Sequence, residues 1–187
     1  MNMRLIMAKN HLDLYIGTYR QCQKKWLKMF KIIDNFIDMG DLAVLKAVLE
    51  SNDFPWYFQK VSVKGSSDKL DCHFGHNFYL NDNVSSDSIK LLNPIIEKLK
   101  VNSLIRVKAN LTMKSDKPLN TTPHIDQTFD CKVALYYLNT TNGPTTIGDK
   151  KVDSVENRIV LFNSSVKHFF STCTDHSNRI TINFNYV

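Results

Sequence analysis

The sequence lacks several patterns that mark common protein classes. Its four cysteines form no C-x-x-C pair, which argues against a zinc ribbon or a thioredoxin-type motif and favours reduced thiols. No stretch approaches the about 18 apolar residues that a membrane-spanning helix requires, and the first residues lack the continuous apolar segment of a secretory signal. Internal repeats and long low-complexity tracts are also absent from the sequence. These absences predict a cytoplasmic protein without a membrane partner.

The composition is that of a folded chain whose charge is concentrated at one end. The 187 residues are 43% hydrophobic and 22% charged, which suits one domain with a proper core rather than a disordered chain. Of the 24 basic and 18 acidic residues, six basic and one acidic residue fall within 1–28. We therefore predict a basic, helical N-terminal appendage at 1–28 and a single domain at 29–187. Because that domain is nearly neutral, its charge gives little support to nucleic-acid binding.

The first half of the predicted domain mixes helical and strand-like patterns. Asp41 is a suitable N-cap for a helix from Leu42 to Leu49, whose leucines share one side. Residues 85–100 predict a second helix, which Pro94 kinks or divides because proline lacks a backbone N–H. Strands are expected at 30–36, 56–58, 61–63 and 73–80.

From residue 103 the pattern changes to short alternating runs separated by turn residues. Helices first and many short strands afterwards predict a mainly β fold with flanking helices (α+β), whose core is a double-stranded β-helix of the jelly-roll or cupin type. Turns are expected at 139–144, 148–149, 163–164 and 174–178. The predicted strands are Leu104–Leu111, Lys132–Leu138, Thr145–Ile147, Arg158–Phe162, Val166–Phe170 and Arg179–Tyr186.

Two histidines and one aspartate in this strand-rich half form a candidate metal site. His124 and Asp126 point to the same side of an extended segment, because side chains alternate along a strand. His168 follows in a later strand-like run. Two imidazoles and one carboxylate are the donors of the facial triad that leaves open positions on iron(II). An isolated H-x-D arises by chance in many chains, so the ordered set carries the prediction.

The last predicted strand opens with an arginine. Arg179 and Thr181 point to the same face of that strand. A guanidinium can bind a carboxylate, such as the distal carboxylate of 2-oxoglutarate, through two parallel hydrogen bonds, and a hydroxyl can add another. The order H-x-D, His and then Arg therefore predicts a metal site with a carboxylate-binding site beside it.

Other histidines offer alternatives. His176 competes with His168 as the third ligand, although it lies in a polar turn. A separate metal cluster is conceivable at Cys72, His73 and His76, but the sequence offers no fourth ligand nearby.

Two basic residues precede the H-x-D segment on one predicted strand. Arg106 and Lys108 share a strand face with Asn110. Two interpretations stay open from the sequence: these cations line the pocket and meet an anionic substrate or co-substrate, or they form a solvated strand face.

At this point residues 103–187 resemble the catalytic core of the 2-oxoglutarate/Fe(II)-dependent dioxygenases, and the prolyl-hydroxylase-like branch is the most similar, including small members encoded by bacteriophages. The matching pieces are TPHIDQ, VALYYLNTTNG, NRIVLFNSSVKH and NRITINFNY. MFKIIDNF and SNDFPWYF also resemble the phage-type members, so the resemblance covers most of 29–187 and leaves out 1–28.

The resemblance implies a ligand set and cofactors. It implies that His124, Asp126 and His168 hold Fe(II) and that Arg179 binds 2-oxoglutarate as co-substrate. O2 is the oxidant, and ascorbate is expected to stimulate the reaction. The products implied are succinate, CO2 and a hydroxylated C–H bond.

Three further positions are assigned by the resemblance alone. The phenol of Tyr137 is expected to hydrogen-bond the co-substrate, Thr181 matches a small hydroxyl position, and Asn110 matches a polar position near the 2-oxoglutarate carboxylates. The chain departs from prolyl hydroxylases at Pro144-Thr145, where they usually carry a second glycine.

The expected function is therefore hydroxylation of an unidentified substrate, with a protein prolyl side chain as the first candidate. A nucleic-acid or nucleotide oxygenase or demethylase is one alternative, and a non-catalytic cupin-like binding module is another. A protein or peptide partner is favoured over nucleic acid, because the domain is close to neutral.

Overall fold

The computed structural model describes residues 29–60 and 72–187, so the predicted appendage at 1–28 and the predicted strand at 61–63 lie outside the described residues. The first half contains short strands and two helical regions. They are β1 (Lys31–Ile33), α1 (Met39–Leu49), β2 (Tyr57–Gln59), β3 (His73–Leu80), β4 (Asn83–Val84), a 3-10 helix (Asp87–Leu92) and α2 (Asn93–Leu99). None of the helices in these described ranges is long and apolar enough to cross a membrane.

The second half is built from seven strands. They are β5 (Leu104–Met113), β6 (Lys132–Tyr137), β7 (Thr141–Ile147), β8 (Lys150–Ser154), β9 (Arg158–Asn163), β10 (His168–Phe170) and β11 (Asn178–Tyr186). The larger sheet has the order β1-β9-β6-β11-β5-β3-β2, with β4 paired to β3, and the smaller sheet has the order β10-β7-β8. The paired strands in both sheets are antiparallel. The predicted mainly β, jelly-roll architecture is confirmed.

Side chains along the strands of the larger sheet point alternately into two packed layers. On β11 the even-numbered residues Ile180, Ile182, Phe184 and Tyr186 join the main core, where the helices cover one face of the larger sheet. A second cluster fills the space between the two sheets, and its members are Val133, Leu135, Tyr137, Ile147, Val152, Val160 and Phe162. The odd-numbered residues of β11 therefore face this inner space, which is where the predicted site residues lie.

The helical predictions are correct in position and partly wrong in detail. Helix α1 begins before Asp41: Asp38 occupies the N-cap, and its carbonyl accepts a bond of 3.0 Å from the Leu42 N–H. Asp41 lies in the first turn instead, where its charge favours the positive end of the helix. The segment 85–100 divides next to Pro94 as predicted, because Pro94 lies in the first turn of α2, which begins at Asn93 directly after the 3-10 helix.

The smaller sheet contains the largest difference from the predicted strands. Residues 141–144 were expected in a turn but begin β7, and β8 was not predicted. The pairing of β7 with β8 shifts register between Thr141 and Thr145. This irregularity accommodates Pro144, whose carbonyl accepts a bond of 2.9 Å from the Ser171 N–H. On β8 the buried residues Val152 and Ser154 alternate with charged residues, so the sequence of this strand does not look apolar.

Asn157 fastens the N-terminal segment to the larger sheet, and we predict a large stability loss on its removal. Its buried amide accepts from the Ile37 N–H and the Tyr136 hydroxyl, both at 3.0 Å, and donates to the Ile37 carbonyl at 2.8 Å. Because each bond contributes about 1 kcal/mol, Asn157→Ala should lower the unfolding free energy by about 3 kcal/mol. The melting temperature should fall on the order of 10 °C.

The control for this prediction is Asn81→Ala, measured by the same thermal melt. Asn81 is exposed and shares the left-handed backbone, with φ of 52° against 59° for Asn157. It therefore isolates the backbone effect from the buried hydrogen bonds. Equal losses in the two variants would contradict the role assigned to the Asn157 amide.

Candidate active site

A cavity of about 620 Å³ lies between the two sheets. Its walls come from β3, β5, β6 and β11 of the larger sheet, from β7 and β10 of the smaller sheet, and from the segment 123–126. The site residues predicted from the sequence that line it are His124, Asp126, His168, Arg179, Thr181 and Asn110. The fold therefore brings six of the seven predicted positions to one cavity.

Backbone pairing sets the two histidines opposite each other. His124 and His168 form an isolated antiparallel bridge, in which each N–H donates to the carbonyl of the other at 3.0 and 2.9 Å. Their rings lie 4.6 Å apart between centroids. This pairing extends the smaller sheet beyond β10 and fixes both imidazoles at the same end of the cavity.

Both imidazoles are held in the form that can bind a metal through Nε2. The His124 Nδ1 lies 3.2 Å from the Thr122 carbonyl, and the His168 Nδ1 lies 3.1 Å from the Val166 carbonyl. A carbonyl only accepts, so each Nδ1 donates its hydrogen, and in the neutral imidazole the Nε2 lone pair is then available to a metal. Burial lowers the pKa of His168, although Asp126 opposes this shift. The lowered pKa favours the neutral imidazole, which is the form that binds a metal.

Asp126 is held by three donors from the larger sheet. The Arg106 guanidinium donates to Oδ1 at 2.7 Å, while the side-chain amides of Asn183 and Asn185 donate to Oδ2 at 2.9 and 3.0 Å. Burial alone would raise the pKa of Asp126, but Arg106, His168 and these amides lower it to about 2. The carboxylate is therefore charged and fixed in orientation, and its Oδ1 lies 3.9 Å from the His168 Nε2.

Ligand atoms of His124, Asp126 and His168, called the ligand cluster below, all lie within 4.8 Å of one another. Across residues 29–60 and 72–187 no other group of three such side chains has this geometry. His176 lies elsewhere, beside a second cavity that Trp56 also lines. His76 is turned into an aromatic cluster and bonds the Pro55 carbonyl at 2.8 Å. The donors and their spacing fit one metal ion with two histidines and one carboxylate.

Arg179 lies at the other end of the cavity and is 2% exposed. Its Nε donates to the Gly143 carbonyl at 2.8 Å and to the Ser154 hydroxyl at 2.9 Å, and its Nη2 donates to the Thr145 hydroxyl at 2.7 Å. The Phe170 ring lies 5.0 Å from the guanidinium carbon. All of these partners are neutral, and burial lowers the pKa of the guanidinium. Such an arrangement suits a site for an anionic ligand.

Thr181 and Asn110 face each other at the middle of the cavity wall. They are register partners between β11 and β5, and both line the cavity. Tyr137 pairs with Thr181 from the other side, but its side chain belongs to the buried cluster between the sheets. Its ring lies 5.5 Å from the Arg179 guanidinium carbon. Burial raises the pKa of Tyr137, against the effect of Arg179.

Several residues of the site were not identified from the sequence. Asn183 and Asn185 hold Asp126, and Thr145 and Ser154 hold Arg179. The strict alternation of β11, with polar side chains at every second position from Arg179, was a usable signal for the two asparagines. No comparable signal marks Thr145 and Ser154, because they reach Arg179 through the irregular pairing of β7 and β8.

Arg106 and Lys108 line the cavity, which answers the question that the sequence left open. The Lys108 ammonium lies 3.1 Å from the Nε2 of His73, a buried residue on β3. Burial, together with the neighbouring Arg106, lowers the pKa of Lys108 to about 8, although Asp126 opposes the shift. The wall formed by β3 and β5 is therefore basic.

Comparison with known proteins identifies the fold of the chain. No family model and no curated protein matches the sequence. Among solved structures, a prolyl hydroxylase from Trichoplax adhaerens, in complex with a hypoxia-inducible-factor peptide fragment, is similar at 17% identity and a TM-score of 0.61, covering 100% of this chain and 93% of that one.

Two further structures show the breadth of the fold. A viral collagen prolyl hydroxylase from Paramecium bursaria Chlorella virus-1, in a 2-oxoglutarate complex, is similar at 11% identity and a TM-score of 0.55, covering 89% of this chain and 98% of that one. A non-haem α-ketoglutarate-dependent epimerase from nogalamycin biosynthesis is similar at 14% identity and a TM-score of 0.61, covering 84% and 77%. The chain thus has the fold of 2-oxoglutarate/Fe(II) oxygenases, including prolyl hydroxylases.

Proposed function

We propose that the chain is an iron(II)- and 2-oxoglutarate-dependent oxygenase. One observation carries the proposal: the buried Arg179 guanidinium has neutral partners among the described residues and lines the same cavity as the ligand cluster. A buried cation without an anion is costly. A ligand with a carboxylate at one end and a metal-binding group at the other would satisfy both ends of the cavity, and 2-oxoglutarate has both.

The donor chemistry supports iron(II) as the metal. Two histidines and one carboxylate on one face of an ion are the donors that non-haem iron(II) oxygenases use, and they leave positions for other ligands. The carbonyl bonds to Thr122 and Val166 orient the imidazoles, and the amides of Asn183 and Asn185 orient Asp126. Partners of this kind raise metal affinity by fixing the ligands before the ion arrives.

In the proposed reaction, the residues at the two ends of the cavity have different roles. When bound, iron(II) and 2-oxoglutarate supply the chemistry: O2 is consumed, the keto acid is decarboxylated to succinate and CO2, and a C–H bond of the substrate is oxidised. Arg179 and the Thr145 hydroxyl hold the distal carboxylate and so orient the keto acid toward the ligand cluster. Thr181 and Asn110 flank the path between the ends. The apolar cluster behind them excludes water.

A protein or peptide with an oxidisable side chain, such as proline, is the substrate class that the similar structures favour. Two of them are prolyl hydroxylases, and one holds a peptide. The epimerase shares the fold at a comparable TM-score, so hydroxylation rests on the prolyl hydroxylases rather than on the fold. A nucleic-acid substrate has weaker support, since residues 29–187 are nearly neutral.

The proposal is tested by succinate formation. Purified chain, iron(II), ascorbate, O2 and 2-oxoglutarate are incubated with and without proline-containing peptides, and succinate and peptide mass are followed together. We expect iron-dependent succinate that rises with an accepted peptide, whose mass increases by one oxygen atom. If the chain binds neither Mn(II), as a redox-silent substitute for iron, nor 2-oxoglutarate in its presence, the oxygenase proposal is wrong and a non-catalytic binding module is the better interpretation.

A further inference from the structure

The cavity contains more positive charge than its proposed contents can neutralise. Four cations line it, Arg106, Lys108, Lys167 and Arg179, against one carboxylate, Asp126. Iron(II) and the doubly negative 2-oxoglutarate together add no net charge. The filled cavity would therefore keep its cationic excess, which is unfavourable in a partly buried space unless another anion enters.

Lys108 is the cation best placed for that second anion. Its stem crosses the β3 backbone at Gly75, where an added Cβ would lie 2.6 Å from the Lys108 Cε, so glycine leaves room for this path. Its ammonium lies 3.1 Å from the His73 Nε2. Within the described residues, no carboxylate oxygen is found within 4.0 Å of the ammonium.

The strand register places Lys108 away from the carboxylate site of Arg179. On β5, Lys108 pairs with Asn183, which also bonds Asp126, whereas Arg179 pairs with Thr112. Lys108 thus lies at the metal end of the wall, about 13 Å along the strand from the level of Arg179. A 2-oxoglutarate whose distal carboxylate is bound by Arg179 would leave the Lys108 ammonium free for a different group.

We propose that Lys108 binds a carboxylate or phosphate group of the substrate, next to the carbon that is oxidised, with Arg106 adding positive charge beside it. This assignment rests on the proposed oxygenase function and specifies its substrate class. The anion would replace part of the water that Lys108 loses on burial, and burial already lowers the pKa of this lysine to about 8. Arg106 is less suitable for testing, because it also bonds Asp126.

Inorganic phosphate is the probe, titrated calorimetrically into the full chain saturated with Mn(II) and 2-oxoglutarate. The test variant is Lys108→Met, which keeps the stem and removes the charge. The matched control is Lys151→Met, because Lys151 is exposed on β8 and does not line the cavity. We expect phosphate affinity to fall about 10-fold or more in Lys108→Met, as a charge-assisted bond is lost, and to be retained in Lys151→Met.

Two results would overturn the assignment. The first is phosphate that does not bind, or that binds Lys108→Met as tightly as the wild type. The second is a Lys108→Met chain whose 2-oxoglutarate affinity falls as much as its phosphate affinity, which would place Lys108 in the co-substrate site. If the wild type binds neither Mn(II) nor 2-oxoglutarate, the oxygenase proposal fails, and the phosphate titration on the metal-free chain still decides whether Lys108 forms an anion site.

The source of the anion is distinguished by displacement of phosphate. Free O-phospho-L-serine is compared with the peptide acetyl-Ala-Pro-phosphoSer-Ala-amide, since both carry the same phosphate ester. Displacement at lower concentration by the amino acid would assign the site to a small acidic metabolite, and displacement by the peptide would assign it to an acidic protein segment. Displacement by neither would contradict a substrate-binding role.

Discussion

Asp126→Asn is expected to reduce Mn(II) affinity by at least about 100-fold, because outer partners of metal ligands are alone worth roughly 10- to 100-fold. The replacement keeps the size of the side chain but removes the charge. The new amide can still accept from Asn183, but its nitrogen would meet the Arg106 guanidinium, which donates to Oδ1 in the wild type. Two donors would then face each other at the position of the oxygen that is proposed to bind the metal. Titration calorimetry measures the loss.

Two controls make this result specific to the ligand cluster. Asp149→Asn removes one exposed carboxylate from the β7–β8 turn, so it should leave Mn(II) affinity unchanged. His176→Ala tests the rival third ligand, which lies beside the second cavity and should also have no effect. If Asp126→Asn keeps the Mn(II) affinity of the wild type and His176→Ala loses it, the metal binds elsewhere.

The ligand cluster was predictable from sequence because its information is local. In H-x-D, strand alternation puts His124 and Asp126 on one side, and the polar positions of β11 follow the same rule from Arg179 onward. The position of His168 is not local information, because only the antiparallel bridge brings it next to His124. Its position in a strand-like run favoured it over His176 in a turn, and the structure places it in the cluster.

The residues that support the site were harder to predict because their contacts depend on irregular or distant pairing. Ser154 donates to the Gly143 carbonyl at 2.7 Å and accepts from Arg179, and both contacts depend on the register shift between β7 and β8. Alternation alone cannot give such a shift, since it changes which side chains face inward. The position of the Lys108 ammonium depends likewise on Gly75 in another strand, whose missing side chain provides the space.

Arg179→Lys is expected to weaken 2-oxoglutarate binding in the Mn(II)-loaded chain on the order of 100-fold. The lysine keeps a positive charge but replaces a planar fork with a single ammonium, so two parallel bonds to a carboxylate become one. One charge-assisted bond is worth roughly 1.5–3 kcal/mol, and each 1.4 kcal/mol is about a factor of ten in affinity. The replacement also leaves the Gly143 carbonyl and the Ser154 hydroxyl without their Nε donor, which should lower stability as well.

Because both losses arise from one substitution, the controls must separate them. Ser154→Ala removes an Nε partner while the Nη2 bond to Thr145 persists, so it should lower the melting temperature with a smaller effect on 2-oxoglutarate affinity. Arg158→Lys alters a partly buried arginine outside the cavity, paired with the exposed Asp34, and should change neither quantity strongly. If Arg179→Lys instead melts early and binds 2-oxoglutarate like the wild type, Arg179 is a structural cation that holds the β7 irregularity. The carboxylate site must then lie elsewhere in the cavity. Lys108 becomes the first residue to examine, because the remaining cation on β5 and β11 that lines the cavity, Arg106, already bonds Asp126.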